Sequence, residues 1–261
     1  MGRWLAYYGS PLRLERVLYG PRHPLVEPSR SGARVGWYPS TGEPEIFTSI
    51  EPAGTDLREL AGRVESRLFL VHLRAPSETP AQLFRHGKWL WLHGGLVDGW
   101  STVGPELGRA VAPELSSLIE SSSESEMLFL LALTLGLEQD PRRAVERTVG
   151  LVEEVGRRHG IKHPFRGPIA ASDGERLWAF RYSSDGSPAP VRFSTRYETL
   201  KQLYPDDARL DGFDEETRLV GSEPLDGLPG VWNDLPEATW GVVHSGQDEF
   251  GTFRPVAPVP A

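Results

Sequence analysis

Apolar and polar positions alternate unevenly along the chain, and the unevenness marks its elements. Residues 4–8 (WLAYY) form an unbroken apolar run, which predicts a strand over 3–8 that is covered on both faces. Shorter strands are predicted at 34–38 (RVGWY) and 45–50 (EIFTSI), around a turn in PSTGEP. Leu57, Leu60 and Val64 recur at helical spacing behind Thr55, a candidate N-cap. Two strong strands follow, RLFLVHL (67–73) and KWLWLH (88–93), joined by a connection containing Pro and Ser. The paired glycines of HGG (93–95) end the second.

The middle reads as two consecutive helices. Residues 124–137 (ESEMLFLLALTLGL) are apolar on every side, so this helix belongs deep against a sheet. Asp140 and Pro141 are good N-cap and N1 residues for the next, with Val145, Val149 and Val152 on one face and Gly160 as its stop. Residues 168–182 predict a hairpin turning at Asp173-Gly174 as a two-residue type I′ loop. Beyond it, residues 191–261 turn to short strands and loops, a β-rich extension of the same body. Residues 1–261 thus read as one domain. Strands, then helices, then strands is an α+β order rather than the regular alternation of a parallel α/β sheet.

Composition narrows the function classes. A net charge of −8 gives no general basis for holding phosphates, so nucleic acid is not an expected partner. No apolar run reaches 18 residues, and the start lacks the basic-then-apolar layout of a secretory signal. Met1-Gly2 resembles a myristoylation start, but Ala6 stands where that pattern takes Ser or Thr. The 261 residues include no cysteine, which removes disulfides, thiolate metal sites and a thiol nucleophile. A cytoplasmic protein is expected, with no membrane partner.

Four stretches carry more than a fold: MGRWLAYYGS at the start, VHLRAPS at 71–77, HGKWLWLHGG at 86–95 and SESEMLFLLAL at 123–133. In this order and spacing they resemble the class II glutamine amidotransferases of the N-terminal-nucleophile (Ntn) hydrolases, in the branch that includes γ-glutamyl amide hydrolases. DGERLWAFRYSS and TRLVGSEPL further on are similar to the same branch. The resemblance implies a four-layer αββα sandwich, two antiparallel sheets between helical layers. It also implies a chemistry. A terminal Cys thiolate attacks the glutamine amide with its own α-amine as base, an Asn side chain and a Gly N–H hold the oxyanion, an Arg grips the α-carboxylate and an Asp holds the α-amine. No cofactor is implied.

Carried across residue by residue, these roles fall on altered positions. Gly2 stands at the nucleophile's place, Gly94 at the oxyanion Asn, and Glu124 at the Asp. The segments SRSGAR and SETPAQL replace an Asn-Gly-Asp-Gly-type and an Asn-Cys-His-Pro-like connection, and both look shortened. Arg3, Arg74, His93 and Gly95 remain. Several correlated departures read as a natural pseudoenzyme rather than one trapping substitution.

From the residues themselves, Arg74 at a strand end either pairs with an acid such as Glu124 or still binds a ligand carboxylate; Arg3 reads as structural or as part of the same remnant. His72, His86 and His93 tempt a metal reading, but His86 and His93, seven apart, are expected to face opposite ways, so no metal is expected. Trp89 and Trp91 share a face, for sheet packing or for a partner. SSLIESSSESE (116–126) reads as a solvated loop leading into a helix cap. Three functions stay open: a partner subunit for an active amidotransferase relative or a synthetase, a site for glutamine or a γ-glutamyl ligand using Arg74, and a diverged amidohydrolase using the Gly2 amine.

Overall fold

Each strand sends alternate side chains to opposite faces, and here both faces of both sheets are apolar. Four layers follow from that. The computed structural model describes residues 2–20, 32–49, 55–74, 83–121, 123–207, 210–225 and 229–258. The chain runs β1 (Arg3–Arg13), α1 (Leu14–Leu18), β2 (Gly32–Trp37), β3 (Glu45–Ser49), α2 (Thr55–Arg63), β4 (Glu65–Arg74), β5 (Leu83–His86), β6 (Trp89–His93) and β7 (Leu96–Val97). The helical middle is α3 (Trp100–Arg109), a 3₁₀ turn (Pro113–Leu118), α4 (Glu124–Thr134) and α5 (Pro141–Arg158). Then come β8 (Phe165–Arg166), β9 (Ile169–Ser172), β10 (Leu177–Arg181), β11 (Arg192–Ser194), α6 (Tyr197–Leu203), β12 (Arg218–Gly221), β13 (Trp232–Asp234), β14 (Thr239–Val243) and β15 (Glu249–Thr252).

One antiparallel sheet has the order β13-β11-β12-β1-β4-β2-β3, the other β15-β14-β10-β9-β6-β5, and β7 pairs with β8 apart from both. Leu5, Tyr7, Val35, Phe69 and Val71 face out of the first sheet onto Leu14 and Leu18 of α1 and Leu57 and Leu60 of α2. The residues between them, Trp4, Ala6, Tyr8, Leu68 and Leu70, face inward onto Leu90, Leu92, Ala170 and Ala179 of the second sheet. That sheet's other face, with Trp89, Trp91, Ala171 and Trp178, packs on Val103, Leu107, Leu128, Leu131 and Val149 of α3, α4 and α5. The expected αββα sandwich is present. Among the described residues no helix is long and apolar enough to cross a membrane.

The two long helices follow their sequence signals. Every residue of α4 from Ser125 to Ala132 is buried, as an all-apolar helix must be. The Asp140 carboxylate accepts from the Arg143 N–H at 3.0 Å, Pro141 opens α5, and Gly160 past its end has φ +76°.

Other elements depart from the pattern. The middle holds α3 and a 3₁₀ turn besides α4 and α5, so the helical run is longer than two helices. The predicted two-residue turn at Asp173-Gly174 is a four-residue loop, since Ser172 pairs with Leu177. The Asp173 side chain explains it, accepting from the Glu175 and Arg176 N–H groups at 3.0 and 2.9 Å and widening the turn. The tight hairpin lies elsewhere: β5, read as part of a connection, pairs with β6 across Gly87-Lys88, with Gly87 at φ +50°. The two altered connections, at 29–34 and 77–83, fall largely outside the described residues.

After β15 the chain crosses back over α5. The Val256 N–H donates to the Glu146 carbonyl at 3.1 Å, and the Arg254 N–H to the Glu146 carboxylate at 3.1 Å. The crossing passes over Gly150, where a Cβ would fall on the Val256 carbonyl carbon and 2.6 Å from the Ala257 nitrogen. Gly150→Ala therefore displaces residues 254–257, while the helix itself gains up to about 1 kcal/mol of propensity. The expected outcome is faster hydrogen exchange at the Val256 amide with little change in global unfolding midpoint, read by exchange and denaturant titration.

Candidate functional site

Strand alternation assigns each candidate residue a face. Trp4, Ala6 and Tyr8 of β1 point between the sheets, so Gly2 belongs to the inner face and Arg3 to the outer one. Arg3 is buried there, with its Nε 2.9 Å from the Glu223 carboxylate. The pairing of Arg3 with Leu73 brings Gly2 level with Arg74, the half-buried last residue of β4. On the same inner face His72 stands between Trp4 of β1 and Arg34 of β2, its cross-strand partners. Arg34 extends this polar row, its Nε donating to Thr48 Oγ1 at 3.2 Å and its guanidinium 5.5 Å from the Phe84 ring.

The second sheet brings the glycine pair to the same end. Leu90 and Leu92 of β6 face inward, so Gly94 just beyond the strand does too. A Cβ on Gly94 would stand 3.3 Å from Trp4 Cδ1 and 3.4 Å from Trp4 Nε1. Gly2, Trp4, Arg74 and Gly94 thus gather at one end of the inter-sheet layer. Gly95 lies in a seam between two backbones: its Cβ would fall on the Arg166 carbonyl oxygen and 2.7 Å from Gly167 Cα. The Gly94 N–H donates across this seam to the Pro168 carbonyl at 2.9 Å.

His93 faces the helices, fully buried, and ties the seam to α4. Its Nε2 lies 3.3 Å from the Arg166 carbonyl, which can only accept, so Nε2 carries the proton. Nδ1 then accepts from the Ser125 hydroxyl at 2.9 Å. Burial lowers the His93 pKa to about 4, against the Arg166 carbonyl, which favours the charged form, and with a smaller push from His72.

The SESE stretch divides its labour. Ser123 caps α4 by accepting from the Glu126 N–H at 3.3 Å. The buried Glu126 carboxylate accepts from the N–H groups of Glu120 and Ser121, each at 2.9 Å, and so orders the preceding loop. Glu124 Oε2 accepts from the Val97 N–H at 2.7 Å, while burial, with Asp98 nearby, pushes its carboxyl pKa up. The structural work of Ser125 and Glu126 was not anticipated, although Ser123 and Glu126 have the S-x-x-E spacing of a capping box.

The three histidines do not converge. His72 is on the inner face of one sheet and His93 on the helical face of the other. His86 corrects an expectation: it pairs with Trp89 across a hairpin and so shares the face of His93, at the far end of that strand pair. Among the described residues no three His, Asp or Glu side chains form a group that could hold a metal ion. Trp89 and Trp91 are buried in the helical layer, 5.5 Å from Trp178 and 5.7 Å from Phe129 by ring centroids. Their shared face is core.

Comparison with known proteins gives consistent relatives. No family model matches the chain. A solved glutamine aminotransferase class-II domain protein from Silicibacter pomeroyi is 31% identical, with a TM-score of 0.77 over 97% of this chain and 99% of its own. The probable glutamine amidotransferase DUG3 of Saccharomyces cerevisiae is 26% identical over 285 residues, 90% of this chain and 80% of the yeast protein. Glutamine phosphoribosylpyrophosphate amidotransferase from B. subtilis, 11% identical, shares the fold with a TM-score of 0.67 over 98% of this chain and 50% of its own.

The buried His93 generates a pH dependence. Its folded pKa of about 4 lies below the ordinary 6.5, so between those values the unfolded chain binds the extra proton. Stability is therefore present above about pH 6.5 and lost as the pH falls toward 4, by up to roughly 3 kcal/mol. Urea unfolding across that range is expected to show a shallower pH slope in His93→Gln than in the parent.

Proposed function

The chain belongs to the class II glutamine amidotransferase family, and from that premise we propose that it is a member which binds without cleaving glutamine. The observation that carries this reading is Gly2. It occupies the nucleophile's position in the family resemblance, on the inner face level with Arg74, in a chain of 261 residues with no cysteine to stand in for it. Losing a covalent nucleophile costs on the order of 10⁶-fold in turnover, and losing one oxyanion donor roughly 10²–10³-fold. The Gly94 position adds the second loss, and Glu124 spends one carboxylate oxygen on Val97.

What persists supports binding. The four layers are intact, and Arg74 remains at the inner strand end where a ligand carboxylate would reach it. The function we assign is therefore that of a non-catalytic partner subunit, for an active amidotransferase relative or a synthetase, with a residual small-ligand site at Arg74. A diverged amidohydrolase that uses the Gly2 amine as base is the competing reading.

Ammonia release from L-glutamine and from γ-glutamyl amides separates the two. Purified protein is expected to release ammonia at the uncatalysed background, unchanged when its N-terminus is blocked. Release at an enzymatic rate, abolished by that block, would establish the amidohydrolase instead. A partner is expected to co-purify from native cells, and a strictly monomeric protein there would argue against the subunit role.

A further inference from the structure

A cavity of about 750 Å³ lies on the helical side of the molecule. Its walls are residues 134–136 at the end of α4, Arg143, Glu146 and Arg147 in the first two turns of α5, and residues 256–258 of the returning chain. It is remote from the candidate site, because α4 carries Glu124 at one end and Thr134 at the other, about 15 Å apart at 1.5 Å per residue. The sequence places charge here against the preference of the helix. The N-terminus of α5 is its positive end, where carboxylates are favoured, yet its first turn has no acid and Arg142 and Arg143 follow Pro141. The Arg142 guanidinium lies 5.2 Å from the Trp240 ring centre, while Arg143 and Arg147, about one turn apart, line the cavity.

Most polar groups around the cavity already have partners. The Glu146 carboxylate accepts from the Arg254 N–H at 3.1 Å and lies 3.3 Å from Arg143 Nη1. At the end of α4 the carbonyls of Leu130, Leu131, Ala132 and Leu133 accept from Thr134 Oγ1 and from the N–H groups of Leu135, Leu137 and Gly136. Arg147 is the exception. It has no carboxylate partner among the described residues, and its Nη1 donates to the neutral Leu135 carbonyl at a long 3.4 Å. A guanidinium has five N–H donors and no acceptor, so what the walls hold in excess is donors. Two arginines against one glutamate also leave one positive charge over. We infer that this cavity binds a small organic monocarboxylate, held by Arg147 together with Arg143, with its apolar body against Leu135, Val256 and Pro258. A monoanion balances the surplus charge, and the planar guanidinium donates two parallel N–H bonds to a carboxylate. The apolar walls suit a carbon body better than a hydrated inorganic anion. Gly150 belongs to the same construction, since only a residue without a Cβ lets the third wall lie against α5. The inference is independent of whether the chain cleaves glutamine.

The probes are 3-phenylpropionate and its uncharged twin 3-phenylpropanamide, each titrated into the full chain labelled with ¹⁵N. The propionate is expected to shift the backbone amides of residues 134–136, 143–147 and 256–257 to saturation with a Kd of about 1 mM, and the amide to bind about tenfold more weakly. Arg147→Gln, a change at an exposed side chain, is expected to weaken the propionate about tenfold and to leave the amide unchanged. Equal binding of the two probes would overturn the inference, as would an Arg147→Gln protein that binds the propionate like the parent. So would the lack of saturable binding up to about 20 mM, or shifts confined to residues 72–74 and 93–95 at the other end of the molecule. Inorganic phosphate separates the charge from the carbon body: it is expected to bind more weakly than the propionate, and tighter binding would overturn the assignment to an organic ligand. If Arg147→Gln does not fold, the parent's paired titrations decide. Ammonia release is measured separately, so a failure here leaves the reading of lost catalysis standing.

Discussion

The meeting of the two inner faces governs this molecule. Sheets packed face to face must fill a gap of about 10 Å without holes, and here small and large residues share it. Gly36 leaves room for Leu90 and Leu83, whose methyl groups would stand 2.8 and 3.1 Å from a Cβ there. Ala6, Ala170 and Ala179 lie among Leu68, Leu70 and Leu92. At the rim, the Tyr38 hydroxyl at the end of one sheet lies 2.9 Å from the Lys88 carbonyl and 2.8 Å from the Ser172 carbonyl of the other. Burial holds its phenol proton firmly, keeping the hydroxyl a donor.

That layer also determines where chemistry can reside. Its middle is apolar and closed. Toward one end the inner-facing residues become Trp4, His72, Arg34 and Arg74, because polar groups can be accommodated where strands run out and backbone turns away. The Gly94-Gly95 turn arrives from the other sheet at that end, and His93, one residue earlier, points the opposite way into the helices. Strand parity thus separates a scaffold histidine from an inward-facing glycine with no loop between them.

Much of this is legible in the sequence. The unbroken apolar runs of β1, β4, β6 and α4 are long enough to exclude other readings, and the Asp140-Pro141 start of α5 is a local signal that tertiary context did not override. Elements with mixed signals are not. β5 is four residues, Leu83–His86, too short to show a period, and α3 carries Gly104 and Pro105 in its interior. The Asp173-Gly174 pair suggested the tightest turn, yet a side-chain acceptor outweighed the dipeptide preference. At the candidate site, motif and alternation together place Gly2, Arg74 and Gly94 at one end of the inner layer. The contact of Trp4 with Gly94 joins strands of different sheets, and no spacing along one chain encodes such a meeting. The duty of Ser125 is hidden for the same reason, since its partner His93 lies on a strand of the sheet beneath, whereas Glu126 bonds the N–H groups five and six residues before it.

Gly95 invites a last consideration, about conservation. It is a residue whose retention would naturally be credited to catalysis, because the family resemblance assigns its amide to the oxyanion. The seam gives it a second and sufficient cause: any Cβ there would collide with the Arg166 carbonyl. Selection for a folded body alone would therefore keep glycine at 95 whether or not a chain cleaves its substrate. In an alignment of relatives, invariance at 95 would not distinguish working members from silent ones. Position 94, where a Cβ would meet the side chains of Trp4 and Pro168 at 3.3–3.4 Å rather than backbone, is where the two histories would diverge.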